Sequence, residues 1–193
     1  MRKGAKKGLV ITIGGPHGTG KSTYALSLAK ALGLRYVSAG GIFRDLAKQN
    51  HLSLEAFGQR AANDPAIDRL IDERTKDVAK EGAVVIEAQL AAWMARELAN
   101  LKMLLTAPDT VRFKRIAERE GITVEEAKRQ TEARELIQKK RYMHYYGIDV
   151  TDLSIYDLTI DTSLHPIEKT TEIVIEAARS FLMRKGLLTQ RDR

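Results

Sequence analysis

Apolar residues along the chain follow two spacings, and the two spacings alternate. Short apolar runs, which are typical of buried parallel strands, cover residues 9–13, 34–37, 83–86, 101–105 and 157–160. Apolar residues at helical spacing cover residues 23–32, 40–50, 53–62, 65–80, 91–98, 109–146 and 166–185. This alternation predicts an α/β fold in which a five-stranded parallel sheet carries helices on both faces. Ligands of such sheets bind at the carboxyl ends of the strands.

A phosphate-binding motif lies at the carboxyl end of the first predicted strand. The motif Gly-x-x-x-x-Gly-Lys-Ser/Thr, the P-loop, is matched by Gly15, Pro16, His17, Gly18, Thr19, Gly20, Lys21 and Ser22, and Thr23 follows it. Its glycines let backbone N–H groups point at an anion, and the next helix adds its positive dipole end. Lys21 can reach the β- and γ-phosphates of a nucleotide, and the Ser22 hydroxyl can ligate Mg²⁺. His17 stands at a variable position, so we expect an ordinary loop residue rather than a catalytic base.

Composition narrows the class of protein. The 193 residues suffice for one α/β domain. The chain has no cysteine and no cluster at metal-ligand spacing, so the Mg²⁺ of a nucleotide is the only metal we expect. It has no apolar run of the roughly 20 residues that span a membrane, and its basic start lacks a signal-peptide core, so we expect a cytoplasmic location. The net charge is +7, and the basic residues are interleaved with acidic ones. This excess of positive charge fits a phosphorylated small molecule as well as nucleic acid as the partner.

Charged residues follow the second and third predicted strands. Arg44 comes one helical turn after Gly40, so its guanidinium can point back to the strand end and bind a second phosphate. Glu87 ends the third strand, and two interpretations of it stay open. Its carboxylate assists Mg²⁺, as in other P-loop proteins, or it is a solvated side chain that caps a helix.

Arginine and lysine residues crowd the segment 109–146. Phosphoryl transfer needs positive groups around the transferred phosphoryl group and needs water kept out, and a mobile arginine-bearing flap does both. We expect most of these charges to balance neighbouring glutamates in i, i+4 pairs on a solvated helix surface. Two or three arginines are expected to contact phosphate, and the candidates are Arg115, Arg119, Arg134 and Arg141.

Taken in order, these features resemble those of a nucleoside monophosphate kinase, and within that group the short cytidylate kinases of archaea. The stretches that carry the narrower resemblance are residues 36–40, 42–44, 67–72, 119–122, 140–142, 146–149, 153–157 and 160–163. The resemblance implies a three-layer P-loop NTPase fold and a single domain over 1–193. Within that domain it implies a core of residues 8–37, 81–108 and 154–185, acceptor-binding helices over 38–80, and a lid over 109–150.

The resemblance also implies a reaction and a role for individual residues. ATP and CMP or dCMP would give ADP and CDP or dCDP, without a covalent intermediate, in a protein that acts as a monomer. Residues 15–23 would hold the donor phosphates. Ser38 and Gly40 would lie by the pyrimidine, Arg44 by the acceptor phosphate and Asp161 near the nucleoside. Arg134 and Arg141 would come down with the lid onto the transferring phosphoryl group, beside Lys21.

One position departs from the family pattern. After the third strand the family usually has Gly-Arg-Leu-Ala, and that arginine helps to hold the monophosphate. This chain has Ala88, Gln89, Leu90 and Ala91 instead. Gln89 has neither the charge nor the bidentate fork of arginine. Arg44 or a lid arginine must therefore hold the phosphate, or the affinity for the monophosphate is low.

Three other functions remain open at this point. An adenylate kinase or another small-acceptor P-loop kinase would share the fold and differ in the acceptor. A P-loop switch protein that signals through GTP is disfavoured, since the guanine motif Asn/Thr-Lys-x-Asp is not found in the sequence. An RNA-binding protein ranks last, because the basic residues lack the interleaved aromatic residues of a stacking surface.

Overall fold

Strands alternate with helices through the described part of the chain, which covers residues 8–53, 56–57, 60–61 and 64–189 of a computed structural model. The strands are β1 Val10–Gly14, β2 Arg35–Ser38, β3 Val84–Glu87, β4 Leu101–Thr106 and β5 Leu158–Asp161. The helices are α1 Lys21–Leu32, α2 Ala39–Gln49, α3 Pro65–Glu81, α4 Ala91–Ala95, α5 Asp109–Glu120, α6 Val124–Tyr146 and α7 Ile167–Arg184. A 3₁₀ turn, Arg96–Leu98, follows α4.

The five strands form one parallel sheet in the order β2-β3-β1-β4-β5. Strand β1 is central and buried along its whole length, which explains why it reads as a continuous apolar run rather than an alternating one. The chain leaves β1 towards β2 and β3 on one side and reaches β4 and β5 on the other. A crevice therefore opens at the carboxyl end of β1, where ligands of such sheets bind.

Helices cover both faces of the sheet and make three layers. On one face, Leu28 and Leu32 of α1 and Val174 and Leu182 of α7 pack in one cluster with Ile11 and other strand residues. On the other face, Ala79 of α3 and Ala91 and Ala95 of α4 pack with Val84 and Ile86. The predicted α/β fold with its five-stranded parallel sheet is confirmed.

Most predicted elements end within two residues of the observed ones, and two differ in kind. The segment 109–146 is two helices, because Gly121, with a φ of 67°, ends α5, and Thr123 caps α6 by accepting a hydrogen bond from the Glu126 N–H at 3.2 Å. The segment 91–98 is helical only to Ala95 and continues as the 3₁₀ turn. Much of the predicted helix 53–62 lies outside the described residues. Within the described ranges, no helix has both the length and the apolarity that a membrane crossing requires.

Candidate active site

The P-loop connects β1 to α1 and lies between the end of β4 and helix α5. Gly15 and Gly18 have φ angles of 136° and 82°, where residues with a Cβ are strained. A Cβ on Gly15 would collide with the carbonyl oxygen of Leu105, and one on Gly18 would lie 2.6 Å from that of Arg112. Glycine is therefore required at both positions by conformation and by the close approach of neighbouring backbone.

Lys21 is held inside the loop. Its Nζ donates a hydrogen bond to the carbonyl oxygen of Pro16 at 2.8 Å, and the Thr19 hydroxyl donates to the same oxygen at 3.0 Å. Burial lowers the pKa of Lys21 to about 8, and the carboxylates of Glu87 and Glu135 partly oppose this shift. A phosphate bound at the loop would be a negative counterion for the buried Lys21 ammonium.

Glu87 faces Ser22, the P-loop serine in the first turn of α1. Its Oε2 accepts hydrogen bonds from the Ser22 hydroxyl at 3.1 Å and from the Tyr36 hydroxyl at 2.9 Å. A hydroxyl and a carboxylate side by side are the oxygen ligands that Mg²⁺ prefers. In the described part of the chain no group of three His, Cys, Asp or Glu residues could hold a metal ion. The pair formed by the Ser22 hydroxyl and the Glu87 carboxylate fits Mg²⁺, which is usually bound by one or two protein groups together with substrate phosphates.

Helix α6 contacts the P-loop through Glu135 and Gln138, which are one turn apart. Glu135 Oε1 accepts a hydrogen bond from the His17 backbone N–H at 3.1 Å, and Gln138 Oε1 lies 3.0 Å from His17 Nε2. Both Glu135 oxygens also accept hydrogen bonds from the buried guanidinium of Arg112, at 2.9 to 3.3 Å. Glu135 is therefore not one of the solvated i, i+4 pairs that we expected for most charges of this segment. Its partner lies 23 residues away on α5.

His17 is neutral at physiological pH. Burial and the nearby positive charge of Arg134 together lower the pKa of its imidazole to about 4. Its ring and its backbone N–H are both engaged by α6. His17 is therefore a contact between the P-loop and helix α6, a role that the motif alone does not reveal.

A large cavity lies between helices α2, α3 and α6 and the end of β3. It has a volume of about 710 Å³, and its lining includes Gly40, Arg44, Asp68, Asp72, Gln89, Arg134, Gln138, Arg141 and Tyr142. We call it the acceptor cavity. Three arginines that the sequence singled out, Arg44, Arg134 and Arg141, are thus brought together from two separate helices.

Two charged side chains in the lining of the acceptor cavity pair with each other. Asp68 Oδ2 and Arg141 Nε are buried and form an ion pair at 2.9 Å. Asp72 accepts a hydrogen bond from the Tyr146 hydroxyl, and burial raises the pKa of both aspartates. Partly buried carboxylates in a cavity wall are suited to accept hydrogen bonds from a polar ligand. The sequence showed the i, i+4 spacing of these aspartates but not the cavity that they face.

Ser38 and Asp161 have structural contacts and do not line the acceptor cavity. The Ser38 hydroxyl accepts a hydrogen bond from the Gly41 N–H at 2.9 Å and caps α2. Asp161 accepts hydrogen bonds from the Ser163 N–H and hydroxyl and shapes the turn after β5. Arg115 fixes the same turn by donating to the Thr162 carbonyl oxygen at 2.7 Å.

A smaller cavity of about 360 Å³ lies on the α5 side of the P-loop. Its lining includes Gly18, Gly20, Thr23, Arg115 and Arg119. Two of the four candidate arginines therefore belong to this cavity, and the other two, Arg134 and Arg141, belong to the acceptor cavity. P-loop residues line the smaller cavity directly, whereas the acceptor cavity is connected to the loop through Gln138, which also contacts His17.

Helix α6 also forms one wall of a third, largely apolar cavity of about 570 Å³. Its other walls come from the start of the P-loop, the end of β4 and the segment before β5, and its lining includes Trp93, Leu104, Leu136, Leu153 and Tyr156. Gln89 lines both this cavity and the acceptor cavity, and its Oε1 accepts a hydrogen bond from the Tyr142 hydroxyl at 3.2 Å.

Comparisons with known proteins agree with this geometry. Residues 10–164 match the cytidylate kinase-like family. A cytidylate kinase of Staphylothermus marinus is 49% identical over 174 residues, which are 90% of this chain and 98% of that protein. A cytidylate kinase of Aeropyrum pernix is 48% identical over 175 residues, 91% and 99% of the two chains. Shikimate kinase from Bacteroides thetaiotaomicron shares the fold, with a TM-score of 0.61 at 16% identity over 91% of this chain and 98% of that one.

Proposed function

Because this chain belongs to the cytidylate kinase-like family, we propose that it transfers the γ-phosphate of ATP to CMP or dCMP. The products are ADP and CDP or dCDP. The observation that carries the proposal is the arginine-lined cavity on helix α6, the same helix that contacts the P-loop through Glu135 and Gln138. Membership of a kinase family disfavours the switch and RNA-binding alternatives.

The donor nucleotide would occupy the P-loop and the smaller cavity. Residues 15–23 would hold its phosphates, with the backbone N–H groups of the residues other than Pro16 and the ammonium group of Lys21 as donors. Ser22 and Glu87 would hold Mg²⁺, which supplies charge neutralisation between the phosphates when it is bound. The nucleoside would lie beside Thr23 and Arg115.

The acceptor would occupy the large cavity with its phosphate towards the arginines. Arg44 presents its guanidinium over Gly40, where a Cβ would lie 3.5 Å from Nη1. Arg134 is close enough to the P-loop to lower the pKa of both His17 and Lys21, so it is suited to the phosphoryl group in transfer. Catalysis would then consist of alignment and charge stabilisation, with no covalent intermediate.

Asp68 and Asp72 are suited to recognise the base. An aspartate carboxylate accepts hydrogen bonds from the exocyclic amine of cytosine. Uracil has a carbonyl oxygen at that position, which would face a carboxylate with no hydrogen between them. A buried acceptor left unpaired in this way disfavours the wrong substrate strongly, so the site would prefer CMP to UMP.

Oligomeric state and compartment complete the proposal. We propose that the protein acts as a monomer. We propose that the enzyme acts in the cytoplasm, where its donor ATP is available. Light scattering with and without nucleotides tests the first statement, and a second copy completing either cavity would overturn it.

The proposed reaction is tested by ADP release from Mg²⁺–ATP with CMP, dCMP, UMP, AMP and GMP in parallel. A control without acceptor measures ATP hydrolysis, and Lys21→Ala provides a protein without the P-loop ammonium. We expect CMP and dCMP to give rates well above the other acceptors. A best rate with AMP would assign the enzyme to the adenylate kinases. A rate independent of acceptor would contradict the proposed transfer.

A further inference from the structure

Glu135 occupies the phosphate-binding loop with a carboxylate that belongs to the protein itself. Its Oε1 is the acceptor for the His17 backbone N–H, and its two oxygens together bind the guanidinium of Arg112. A carboxylate that accepts both a loop N–H and an arginine fork makes the contacts of a bound phosphate. We propose that Glu135 is an internal competitor for the donor phosphates, bound in the nucleotide-free enzyme and displaced by the polyphosphate.

The charges around the loop explain why such a competitor is stabilising. Lys21, Arg112 and Arg134 are close enough to one another and to His17 to lower its pKa. Arg112 is almost completely buried, with 3% of its surface exposed, and a buried guanidinium needs a paired anion. Without a phosphate, the only carboxylate that contacts both Arg112 and a P-loop N–H in the described chain is that of Glu135.

The same contacts require Glu135 to leave when a polyphosphate binds. A phosphate and a carboxylate are both negative and cannot share one N–H group at close range. Lys21 meanwhile donates to the Pro16 carbonyl oxygen of its own loop, so it too is satisfied internally. In the described loop, the Lys21 ammonium and the His17 N–H thus both donate to acceptors within the protein. Donor phosphates must replace these acceptors in order to bind.

Displacement of Glu135 connects the donor site to the acceptor site. Glu135 and Gln138 hold α6 against the loop, and Arg134 and Arg141 on the same helix line the acceptor cavity. A donor that releases Glu135 therefore frees the helix that carries the acceptor-site arginines. This coupling is reciprocal for binding, so the acceptor affects donor affinity by the same factor.

This inference rests on the proposed function only in that a polyphosphate binds the P-loop. The alternative is a purely structural role, in which Glu135 holds α6 against the loop in every state. The two roles predict opposite changes in polyphosphate affinity when Glu135 is replaced. Loss of a competitor makes polyphosphate bind more tightly, whereas loss of a clamp leaves binding unchanged or weakens it.

The test uses Glu135→Gln, in which the amide can still accept the His17 N–H but carries no charge. Calorimetry measures the affinity of the full chain for inorganic tripolyphosphate with Mg²⁺, a probe without a base. The matched control is Glu132→Gln, which removes the same charge from an exposed position on α6 whose nearest cation is Lys128 at 4.0 Å. We expect Glu135→Gln to tighten binding about tenfold and Glu132→Gln to change it by less than about twofold.

Equal or weaker binding by Glu135→Gln than by Glu132→Gln would overturn the inference. Glu135→Asp keeps the charge on a shorter side chain, and we expect an affinity between those of the wild type and Glu135→Gln. It also serves as the test variant if the amide fails to fold, which circular dichroism and thermal unfolding report. Because tripolyphosphate binding needs no acceptor, tightening without CMP phosphorylation would contradict only the proposed function. CMP phosphorylation without tightening would contradict only the role of Glu135.

Discussion

The Ser22 hydroxyl donates a hydrogen bond to the Glu87 carboxylate at 3.1 Å, although the two residues are 65 positions apart. The pairing puts a P-loop hydroxyl and a strand-end carboxylate at the same point above the sheet. Of the two interpretations that the sequence allowed for Glu87, the position of its carboxylate supports a role with Mg²⁺.

Glu87→Gln tests that role. We expect the Mg²⁺ concentration for half-maximal ADP release to rise about 10- to 100-fold, because the carboxylate next to the metal loses its charge. Tyr36→Phe removes the other hydrogen bond to the same oxygen and should leave the Mg²⁺ dependence near that of the wild type. A Glu87→Gln enzyme with an unchanged Mg²⁺ titration would show that the carboxylate has only a structural contact.

Asp72→Asn tests the recognition of cytosine. An amide can donate as well as accept, so it can meet the carbonyl oxygen of uracil that a carboxylate repels. We expect the ratio of kcat/KM for CMP over UMP to fall at least about 100-fold. Asp77→Asn is the control, since Asp77 lies on the same helix but is exposed and pairs with Lys80. A ratio that both variants leave unchanged would place the base elsewhere.

Gln89→Arg tests the departure from the family pattern. The new guanidinium would lie in the wall of the acceptor cavity and could form charged hydrogen bonds with the acceptor phosphate. We expect the KM for CMP to fall about tenfold with little change in kcat. The substitution also breaks the hydrogen bond from Tyr142, so Tyr142→Phe measures that loss separately. If KM rises equally in both variants, Gln89 serves as the partner of Tyr142.

His17 makes the fold sensitive to acid. Its folded-state pKa of about 4 lies below the ordinary value of 6.5, because burial and the charges of Arg134, Lys21 and Arg112 disfavour the imidazolium. The unfolded chain therefore takes up a proton first as the pH falls, and stability decreases between pH 6.5 and 4. For a group with this pKa shift, the free energy of unfolding is lower at pH 5 than at neutral pH by about 2 kcal/mol.

Urea unfolding at pH 7.5 and pH 5.0 measures this effect in the wild type and in His17→Asn. We expect the wild type to lose more free energy of unfolding between the two pH values than the variant, by about the amount above. His51→Asn, at an exposed histidine after α2, controls for the loss of any titrating imidazole. Equal losses in all three proteins would mean that the His17 imidazole titrates normally in the fold.

The sheet and the P-loop were predictable because their signals are local. A buried strand in this fold needs an unbroken apolar run, and a phosphate loop needs glycines at fixed positions. Both patterns can therefore be recognised within a short stretch of consecutive residues. The break between α5 and α6 was equally local and was overlooked. Gly121 is a favourable helix end, and Thr123 followed by Glu126 has the spacing of a capping box.

The contacts between α6 and the P-loop were not predictable from spacing. Arg112 and Glu135 lie on different helices, and their pairing depends on how the two helices cross after Gly121. Asp68 and Asp72 share one face of α3, but nothing in the sequence says that this face lines a cavity. Helix faces can be predicted from periodicity, whereas the neighbour that each face meets depends on tertiary packing.

Trp93 is the only tryptophan in the sequence, and its ring packs edge-on against Tyr156, 5.6 Å away, in the wall of the apolar cavity. The opposite wall of that cavity is helix α6, which also carries Glu135 and the acceptor-site arginines. A shift of α6 changes the solvent that surrounds one indole and no other. The enzyme therefore has a built-in fluorescent reporter, and stopped-flow emission would time any movement of helix α6 without an attached label.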